Sequence, residues 1–300
     1  MVAKACPDSE IAEVVQRTGG QLSTVFEVRR TDADPLIVKV YAPEWSWKQS
    51  KEVHVYGLLA TALNGSIPQV IHAEPAGDHD AFTILTKLDG VPLSETDPPD
   101  WRATYVELGQ LLARVHRIPQ PAYGYLTDRI LDPLPDNDQY MRRQFTKKLD
   151  EFEGDRGLHK AIRTYVDERS GLFAANRTAA LCHNDFHEGN ILVDPRTWRV
   201  TGFIDVENAI TADPLLDLAK TASYSIRGDA DKLAGLVEGY GTLPEDWADR
   251  ILLYRVYHSL ELWDWFKSIG ETTHLDGIAA ELAELVNRCG YGVQHASCRV

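Results

Sequence analysis

A polar loop between two apolar runs constrains the fold of this chain more than any other feature. Residues 180–182 and 191–193 are apolar, and the loop between them carries His183, Asp185 and Asn190. Short apolar runs flanked by polar turns are typical of buried strands. An Asp in such a loop can accept a hydroxyl proton, and an Asn five residues later can offer its carbonyl oxygen to a divalent cation. The spacing therefore predicts a catalytic loop held by strands at both ends.

A second carboxylate follows at the end of another short apolar run. Asp205 comes fifteen residues after Asn190, directly after Phe203 and Ile204. An Asp at a strand end can also serve as a turn or cap residue, and this alternative stays open from the residue alone. With the loop upstream, we expect Asn190 and Asp205 to be catalytic residues that bind one Mg²⁺ ion on the phosphates of ATP.

The N-terminal part of the chain reads as strands with one helix. Residues 22–30 and 35–41 predict a β-hairpin, because the segment between them, Thr31-Asp32-Ala33-Asp34, has turn chemistry. Residues 49–63 show helical spacing of apolar side chains, and a strand is expected at 81–85.

Lys39 lies in the middle of the second predicted strand, among apolar neighbours. A buried charge without a partner is costly, so Lys39 requires a carboxylate. Glu52 lies on the helix face of Tyr56, Leu59 and Leu63, which directs it toward the core. We expect a Lys39–Glu52 pair that leaves the lysine directed at ATP phosphates. A purely structural ion pair, or Glu44 as the partner, remains an alternative.

Two glycines precede the first predicted strand. Gly19 and Gly20 come just before Ser23, and backbone N–H groups at such a position can approach a phosphate. Gly20 and Ser23 are therefore candidate nucleotide contacts, although an ordinary turn would show the same pattern.

The pattern changes from mixed to helical near residue 100. Residues 89–99 are polar and rich in proline, and Leu108, Leu111, Leu112 and Val115 then repeat at helix spacing. We expect an α+β protein with an N-terminal lobe at 1–88, a linker at 89–99 and a mostly helical C-terminal lobe at 100–300.

Composition excludes several classes of partner. The net charge of −14 opposes binding to nucleic acid or anionic membranes, which need clustered Lys and Arg. The last hundred residues carry 16 acidic and 8 basic side chains, so a cationic ligand is favoured. Four cysteines form no paired spacing, and no apolar segment is long enough to span a membrane. A cytoplasmic protein, monomeric or dimeric, is expected.

These residues give the chain a family resemblance. It resembles the aminoglycoside phosphotransferase and choline kinase superfamily of protein-kinase-like folds, from about Gly19 to Glu261. The strongest matches lie at residues 182–194, 204–207 and 212–219. The resemblance implies a bilobal kinase fold with Asp185 as catalytic base, Asn190 and Asp205 as Mg²⁺ ligands and Lys39 on the ATP phosphates. It further implies hinge contacts with adenine at Thr86, Lys87 and Leu88, and structural roles in the catalytic loop for His183 and Asp217.

Departures from protein kinases are informative. The residue before Asp185 is Asn184 rather than the arginine that pairs with a phosphorylated activation loop, and Asp205 is followed by Val206-Glu207 rather than Phe-Gly. We therefore expect a small-molecule kinase that needs no activating phosphorylation.

The acceptor is expected to be a cationic small molecule with a hydroxyl group positioned at Asp185. At helix spacing, one broad stripe of residues 251–267 carries Tyr257, His258, Glu261 and Trp265, and Glu207 is a further acidic candidate. An aminoglycoside or related antibiotic is the first expectation; choline, ethanolamine, homoserine or an amino sugar is the alternative. A core helix with amphipathic aromatic residues would show the same stripe.

Three rival interpretations use the same loop. His183, Asp185 and His187 could form the metal cluster of a hydrolase. Cys182 beside His183 could suggest thiol chemistry, but adjacent strand residues point to opposite faces. A kinase-like binding protein without catalysis would be expected only if the base or metal ligands were absent.

Overall fold

The computed structural model describes residues 2–17 and 23–288. In chain order its α-helices are α1 (Val2–Ala5), α2 (Ser46–Ala60), α3 (Trp101–His116), α4 (Asn137–Glu151), α5 (Arg156–Arg169), α6 (Pro214–Thr221), α7 (Ala230–Tyr240), α8 (Trp247–Ser268) and α9 (Leu275–Arg288). Its strands are β1 (Ile11–Arg17), β2 (Ser23–Arg30), β3 (Leu36–Tyr41), β4 (Val70–Glu74), β5 (Phe82–Thr86), β6 (Val91–Pro92), β7 (Tyr123–Leu126), β8 (Ile130–Leu134), β9 (Ala180–Cys182), β10 (Ile191–Val193), β11 (Val200–Phe203) and β12 (Ile210–Ala212).

The described residues form two compact units. Unit 1 takes its residues from Met1–Pro99, Tyr125–Leu131 and Glu188–Ala209, and unit 2 from Asp100–Gly124, Asp132–His187 and Ile210–Val300. Unit 1 is mainly β and unit 2 mainly α, which confirms the α+β class. The helices include none that is long and apolar enough to cross a membrane, as far as the described residues go.

The main sheet of unit 1 is antiparallel, with strand order β1-β2-β3-β5-β4. The hairpin expected around residues 31–34 is the β2–β3 pair. One face of the sheet buries Val28, Leu36, Val38 and Ile84 in a common cluster. Side chains alternate along a strand, so Ile37 and Lys39 of β3 face away from this cluster.

Residues 188–209 belong to unit 1. From the sequence, all of residues 100–300 were expected to form one C-terminal lobe. The physical reason is strand pairing, since β10 pairs with both β11 and β6, and β6 lies in the N-terminal part of the chain. Within β11, Gly202 has a φ of 153°, and a Cβ atom there would lie 1.9 Å from the backbone oxygen of Ser66. Only glycine fits this approach, which sets the path of the chain into Asp205.

Unit 2 is built on closely packed helices. A Cβ atom added at Gly109 of α3 would lie 2.3 Å from the backbone oxygen of Leu236, and one at Gly239 of α7 would lie 1.9 Å from that of Val106. The absence of these side chains lets α3 and α7 pack backbone to backbone. Strands β9 and β12 pair antiparallel, with Cys182 opposite Ile210 and Ala180 opposite Ala212, so His183 and Asp213 leave the pair at opposite ends.

Candidate active site

Lys39 of unit 1 is held by a buried carboxylate. It lies on β3 opposite Val25 and Thr83, and its Nζ donates to Oε1 of Glu52 on α2 at 2.8 Å. Glu52 is fully buried, and the Tyr41 hydroxyl donates to its other carboxylate oxygen. The expected Lys39–Glu52 ion pair is therefore present, with Glu52 as the partner.

A second carboxylate faces the same lysine. Oδ1 of Asp205 lies 3.5 Å from Nζ of Lys39. Burial by itself would lower the pKa of Lys39, but the charges of Glu52 and Asp205 outweigh it and hold this pKa well above its usual value. Lys39 is therefore cationic at physiological pH. The Asp205 side chain remains 40% exposed, so it can also reach a ligand.

Backbone pairing holds Asn190 next to Asp205. The N–H of Ile204 donates to the backbone oxygen of Asn190 at 2.9 Å, and Ile191 pairs with Phe203 across β10 and β11. Asp205 itself has a φ of 64°, in the left-handed region that Asp tolerates better than most residues. A carboxylate and a side-chain amide oxygen are hard donors of the kind that Mg²⁺ prefers. The donor set in unit 1 thus fits the expected magnesium ion.

The negative charge of Glu207 is compensated by Lys48 within unit 1. Its Oε1 lies 3.0 Å from Nζ of Lys48 on α2, and both side chains are largely buried. The Lys48 ammonium also lies 5.5 Å from the ring centroid of Trp45 and 5.8 Å from that of Trp47. Glu207 therefore already has a cationic partner in the fold, and its expected contact with a cationic ligand stays a prediction.

The residues expected at the nucleotide base lie at the end of β5. Thr86 pairs with Leu36, and its Oγ1 accepts from the N–H of Gln69 at 2.8 Å. The N–H of Lys87 donates to the Pro35 oxygen at 3.4 Å, and half-buried Leu88 follows. Ser23 begins β2 opposite Tyr41, whereas Gly20 lies outside the described residues.

In unit 2 the loop before Asp185 is anchored on helix α6. The Asp217 carboxylate, which is buried, accepts from the backbone N–H of His183 at 2.6 Å and from that of Asn184 at 2.5 Å. One turn later, the Thr221 hydroxyl donates to the Phe186 oxygen at 2.7 Å. The His183 ring is buried edge-on against Phe186. These contacts give His183 and Asp217 the structural roles that the family resemblance implies.

The charge on Asp217 is maintained despite its burial. Burial raises the pKa of this carboxyl, but the hydrogen bond from His116 at 3.1 Å and the backbone N–H of Asn184 outweigh it, and the net shift is downward. The His116 ring accepts in turn from the Tyr240 hydroxyl at 2.9 Å, if Nε2 carries the proton donated to Asp217. Asn184 has a φ of 56°, a conformation that this bracing stabilises.

Two basic side chains face Asp185 within unit 2. Nε2 of His187 lies 3.7 Å and Nζ of Lys220 lies 3.9 Å from Oδ1 of Asp185. Both distances exceed that of a hydrogen bond, so the interaction is electrostatic.

Two neighbouring side chains of helix α8 orient the carboxylate of Glu261. The Tyr257 hydroxyl donates to Oε1 at 3.0 Å, and Nδ1 of His258 lies 2.9 Å from Oε2. Burial raises the pKa of Glu261, yet the His258 hydrogen bond and the charge of Lys220 outweigh it and lower this pKa to about 2. Glu261 is therefore ionised, with 26% of its side chain exposed.

The predicted stripe on α8 divides into buried and exposed members. Tyr257 and His258 are buried, and Nε2 of His258 lies 2.9 Å from the Leu216 oxygen. Their polar atoms orient Glu261, and their own expected contacts with a ligand stay predictions. Trp265 is 41% exposed and packs only edge-on against Phe266 among the described rings.

The rival metal cluster does not form. Among residues 2–17 and 23–288, the trio of His, Cys, Asp or Glu whose ligand atoms come within 4.8 Å is His116, Cys182 and Asp217. It does not include Asp185 or His187, and its Asp217 carboxylate already accepts two backbone N–H groups. Burial raises the pKa of the Cys182 thiol, which disfavours both a thiolate ligand and a nucleophile.

A model of the phosphotransferase enzyme family, APH, matches residues 13–253, which is most of the chain. The protein belongs to this family. The match spans both units and includes Lys39, Asp185, Asn190 and Asp205.

Members and fold relatives of the APH family agree with this assignment. An aminoglycoside 3′-phosphotransferase from Streptomyces ribosidificus is 28% identical over 165 residues, which cover 52% of this chain and 58% of that relative. The chain thus spans little more than half the length of this curated relative. The structure of the GDP and kanamycin complex of APH(2″)-IIIa has a TM-score of 0.73 at 14% identity and covers 96% of this chain and 98% of its own. Aminoglycoside phosphotransferase APH(4)-Ia has a TM-score of 0.73 at 16% identity and covers 94% and 95%. The predicted protein-kinase-like fold is confirmed.

For two lysines of this APH-family protein, Lys220 and Lys48, the sequence did not predict the carboxylate partner. Lys220 follows Asp217 by three positions on α6, and this helical spacing could have indicated that it faces the loop. Lys48 precedes Glu52 by one turn of α2. No sequence pattern indicates that Glu207 is the partner of Lys48, because the two lie 159 positions apart in the chain.

Proposed function

We propose that this protein is a Mg²⁺-dependent phosphotransferase that moves the γ-phosphoryl group of ATP to a hydroxyl group of a cationic small molecule. The observation that carries the proposal is Lys39, held as a cation between buried Glu52 and exposed Asp205, with Asn190 paired beside Asp205. A lysine beside two such oxygen donors is suited to polyphosphate and its metal ion.

Unit 1 supplies the nucleotide contacts in this proposal. Lys39 offsets phosphate charge, and Glu52 prevents the lysine from turning away. Asn190 and Asp205 would hold Mg²⁺, which offsets the charge that develops on the transferred group. Thr86, Lys87 and Leu88 would offer backbone groups to adenine, and Ser23 would lie toward the phosphates.

Asp185 is the proposed catalytic base. The acceptor oxygen attacks the γ-phosphorus in line, the bond to the β-phosphate oxygen breaks, and ADP leaves. The hydroxyl proton passes to the Asp185 carboxylate. His187 and Lys220 lie 3.7 and 3.9 Å from this carboxylate, and Asp217 keeps the loop in place through the backbone of His183 and Asn184.

The proposed acceptor carries positive charge. Glu261 is ionised, partly exposed and oriented by two hydrogen bonds, so it can bind an ammonium group, with the exposed ring of Trp265 one turn farther along α8. The curated relative is an aminoglycoside 3′-phosphotransferase, and the fold relatives include complexes with kanamycin and with hygromycin B. We therefore propose an aminoglycoside or related antibiotic, with choline, ethanolamine, homoserine or an amino sugar as the alternative.

Use of ATP places the proposed reaction in the cytoplasm, with the enzyme acting as a monomer or dimer. Neither nucleic acid nor a membrane has a role in it, because the chain carries a net charge of −14.

A coupled ADP-release assay tests the proposal. The panel comprises aminoglycosides, amino sugars, choline, ethanolamine and homoserine, each with ATP or GTP and with Mg²⁺ or EDTA. We expect Mg²⁺-dependent turnover with one acceptor class. Asp205→Ala should lose Mg²⁺-dependent nucleotide binding, whereas the control Asp150→Asn, on the exposed face of α4, should retain it. Tight Mg-ATP binding by Asp205→Ala would refute the metal assignment.

A further inference from the structure

Lys220 of helix α6 lies beside the proposed catalytic base in unit 2. It comes three residues after Asp217 and directly before Thr221, the two side chains that hold the catalytic loop, and only 13% of its own side chain is exposed. Its ammonium lies 3.9 Å from Oδ1 of Asp185. It also lies 5.5 Å from the ring centroid of Tyr224, which follows in the π-helical turn Ala222–Ile226.

Two groups therefore lie at this ammonium, the Asp185 carboxylate and the Tyr224 ring. The charge of Lys220 also contributes to the low pKa of Glu261 on α8. Burial raises the pKa of the Tyr224 hydroxyl, and the charges of Glu261 and Asp185 raise it further.

A carboxylate and an aromatic ring are groups that bind ammonium ligands in proteins. In this chain the side chain of Lys220 fills that place, so the negative charge of Asp185 is compensated without a ligand. Glu261 has its own partner in His258, whose two ring nitrogens face Oε2 of Glu261 and the Leu216 oxygen.

We infer that Asp185, the proposed catalytic base, and Tyr224 form an ammonium subsite, and that Lys220 occupies it and so determines acceptor specificity. The inference rests on the proposed function and narrows its substrate class. An acceptor must present its hydroxyl to Asp185 from a part of the molecule that has no ammonium group at this position. Its own cationic groups must bind farther away, where Glu261 is exposed.

Removing the lysine charge should open the subsite to a small amine. Lys220→Met keeps the length of the side chain and removes its charge. Lys148→Met is a matched control, because Lys148 has the same 13% exposure and pairs with Glu151 and Asp264, away from Asp185. Thermal unfolding is followed with methylammonium chloride and with NaCl at equal ionic strength. We expect methylammonium to raise the Tm of Lys220→Met saturably above its value in NaCl, and to leave the wild type and Lys148→Met unchanged.

Turnover gives the second readout. Lys220→Met should lose about tenfold or more in kcat/KM, and methylammonium should restore part of this loss. Lys220→Arg, which keeps the charge, should stay within about threefold of the wild type. An amino-sugar acceptor should lose less activity in Lys220→Met than its deamino counterpart, because its own ammonium can take the vacated place.

Two results would overturn the inference. One is a folded Lys220→Met whose Tm responds to methylammonium no more than to NaCl. The other is a Lys220→Arg variant as impaired as Lys220→Met, which decides the matter even if the methionine variant does not fold. Absence of turnover by the wild type with every acceptor contradicts the proposed function instead, because the Tm readout needs no turnover.

Discussion

Each unit holds a lysine beside a carboxylate of the candidate site, and the two assemblies differ in tightness. In unit 1 Lys39 donates to fully buried Glu52 at 2.8 Å and faces Asp205 at 3.5 Å. In unit 2 Lys220 lies 3.9 Å from Asp185, which is partly exposed. In the proposed function the first assembly binds one invariant group, a polyphosphate, and its short contacts suit that task. The second is held by longer-range charge, which suits a group that receives different acceptors.

The largest effect should follow from the base itself. Asp185→Asn removes the proton acceptor and keeps the shape, so kcat should fall by roughly 10²–10⁴-fold while nucleotide affinity stays nearly the same. Steady-state ADP release and calorimetric ATP binding measure the two quantities, with Asp150→Asn as the surface control. Unchanged turnover would refute the role of Asp185.

The two lysines should differ in their contribution to stability. Lys39→Met leaves Glu52 buried without its cation and should cost about 3–5 kcal/mol of unfolding free energy. Lys220→Met leaves carboxylates that water can reach and should cost about 1 kcal/mol. Urea unfolding at pH 7 measures both. Equal losses would show that the contrast between the assemblies has no energetic consequence.

Acid should weaken both units through one carboxylate in each. The pKa is about 2 for Glu27, where burial is outweighed by hydrogen bonds from Arg17 and Arg29, and about 2 for Glu261. Both lie below the usual value of 4.5, so their stabilisation is complete above about pH 4.5 and is lost as the pH falls toward 2.

Each of these groups should contribute about 2 kcal/mol to the loss between pH 6 and pH 3. Glu27→Gln and Glu261→Gln should each remove that part of the pH dependence, as measured by urea unfolding at both values. A variant that loses stability between pH 6 and 3 as steeply as the wild type contradicts the assignment for its residue.

The smallest effect should be a gain of stability in unit 1. Nζ of Lys51 is fully buried over the Tyr125 ring at 4.2 Å, without a hydrogen-bond partner among the described residues. Burial, together with the charge of Lys48, lowers its pKa to about 7. Between pH 7 and 10.5 the unfolded chain binds more protons at this site, so stability rises with pH across that window.

Lys51→Met should therefore stabilise the protein by about 1 kcal/mol at pH 7, and by less at pH 10. Lys48→Met is the comparison, because it breaks the pair with Glu207 and should destabilise the protein. Thermal unfolding of both variants at the two pH values tests the difference. A Lys51→Met variant that is less stable than the wild type at pH 7 would show that the buried amine finds compensation.

Local pattern was sufficient for much of unit 1. Lys39 alternates with apolar strand residues and Glu52 repeats with apolar helix residues, so each had to face a place where the other could compensate it. The same argument was not sufficient on α8. There Tyr257, His258 and Glu261 share a stripe, but spacing alone could not tell a buried support from an exposed ligand contact.

The loop between β9 and β10 illustrates what the sequence by itself determined. Apolar runs on both sides, with Asp185 and Asn190 five residues apart, indicated the family, the fold class and the chemistry of a phosphotransferase. Only the tertiary structure showed that the chain passes from unit 2 to unit 1 after His187, that Lys48 neutralises Glu207, and that Lys220 faces Asp185. The reason is physical. Periodicity reports which face of a helix or strand is buried, whereas charge compensation depends on which distant residues come to lie within a few ångströms.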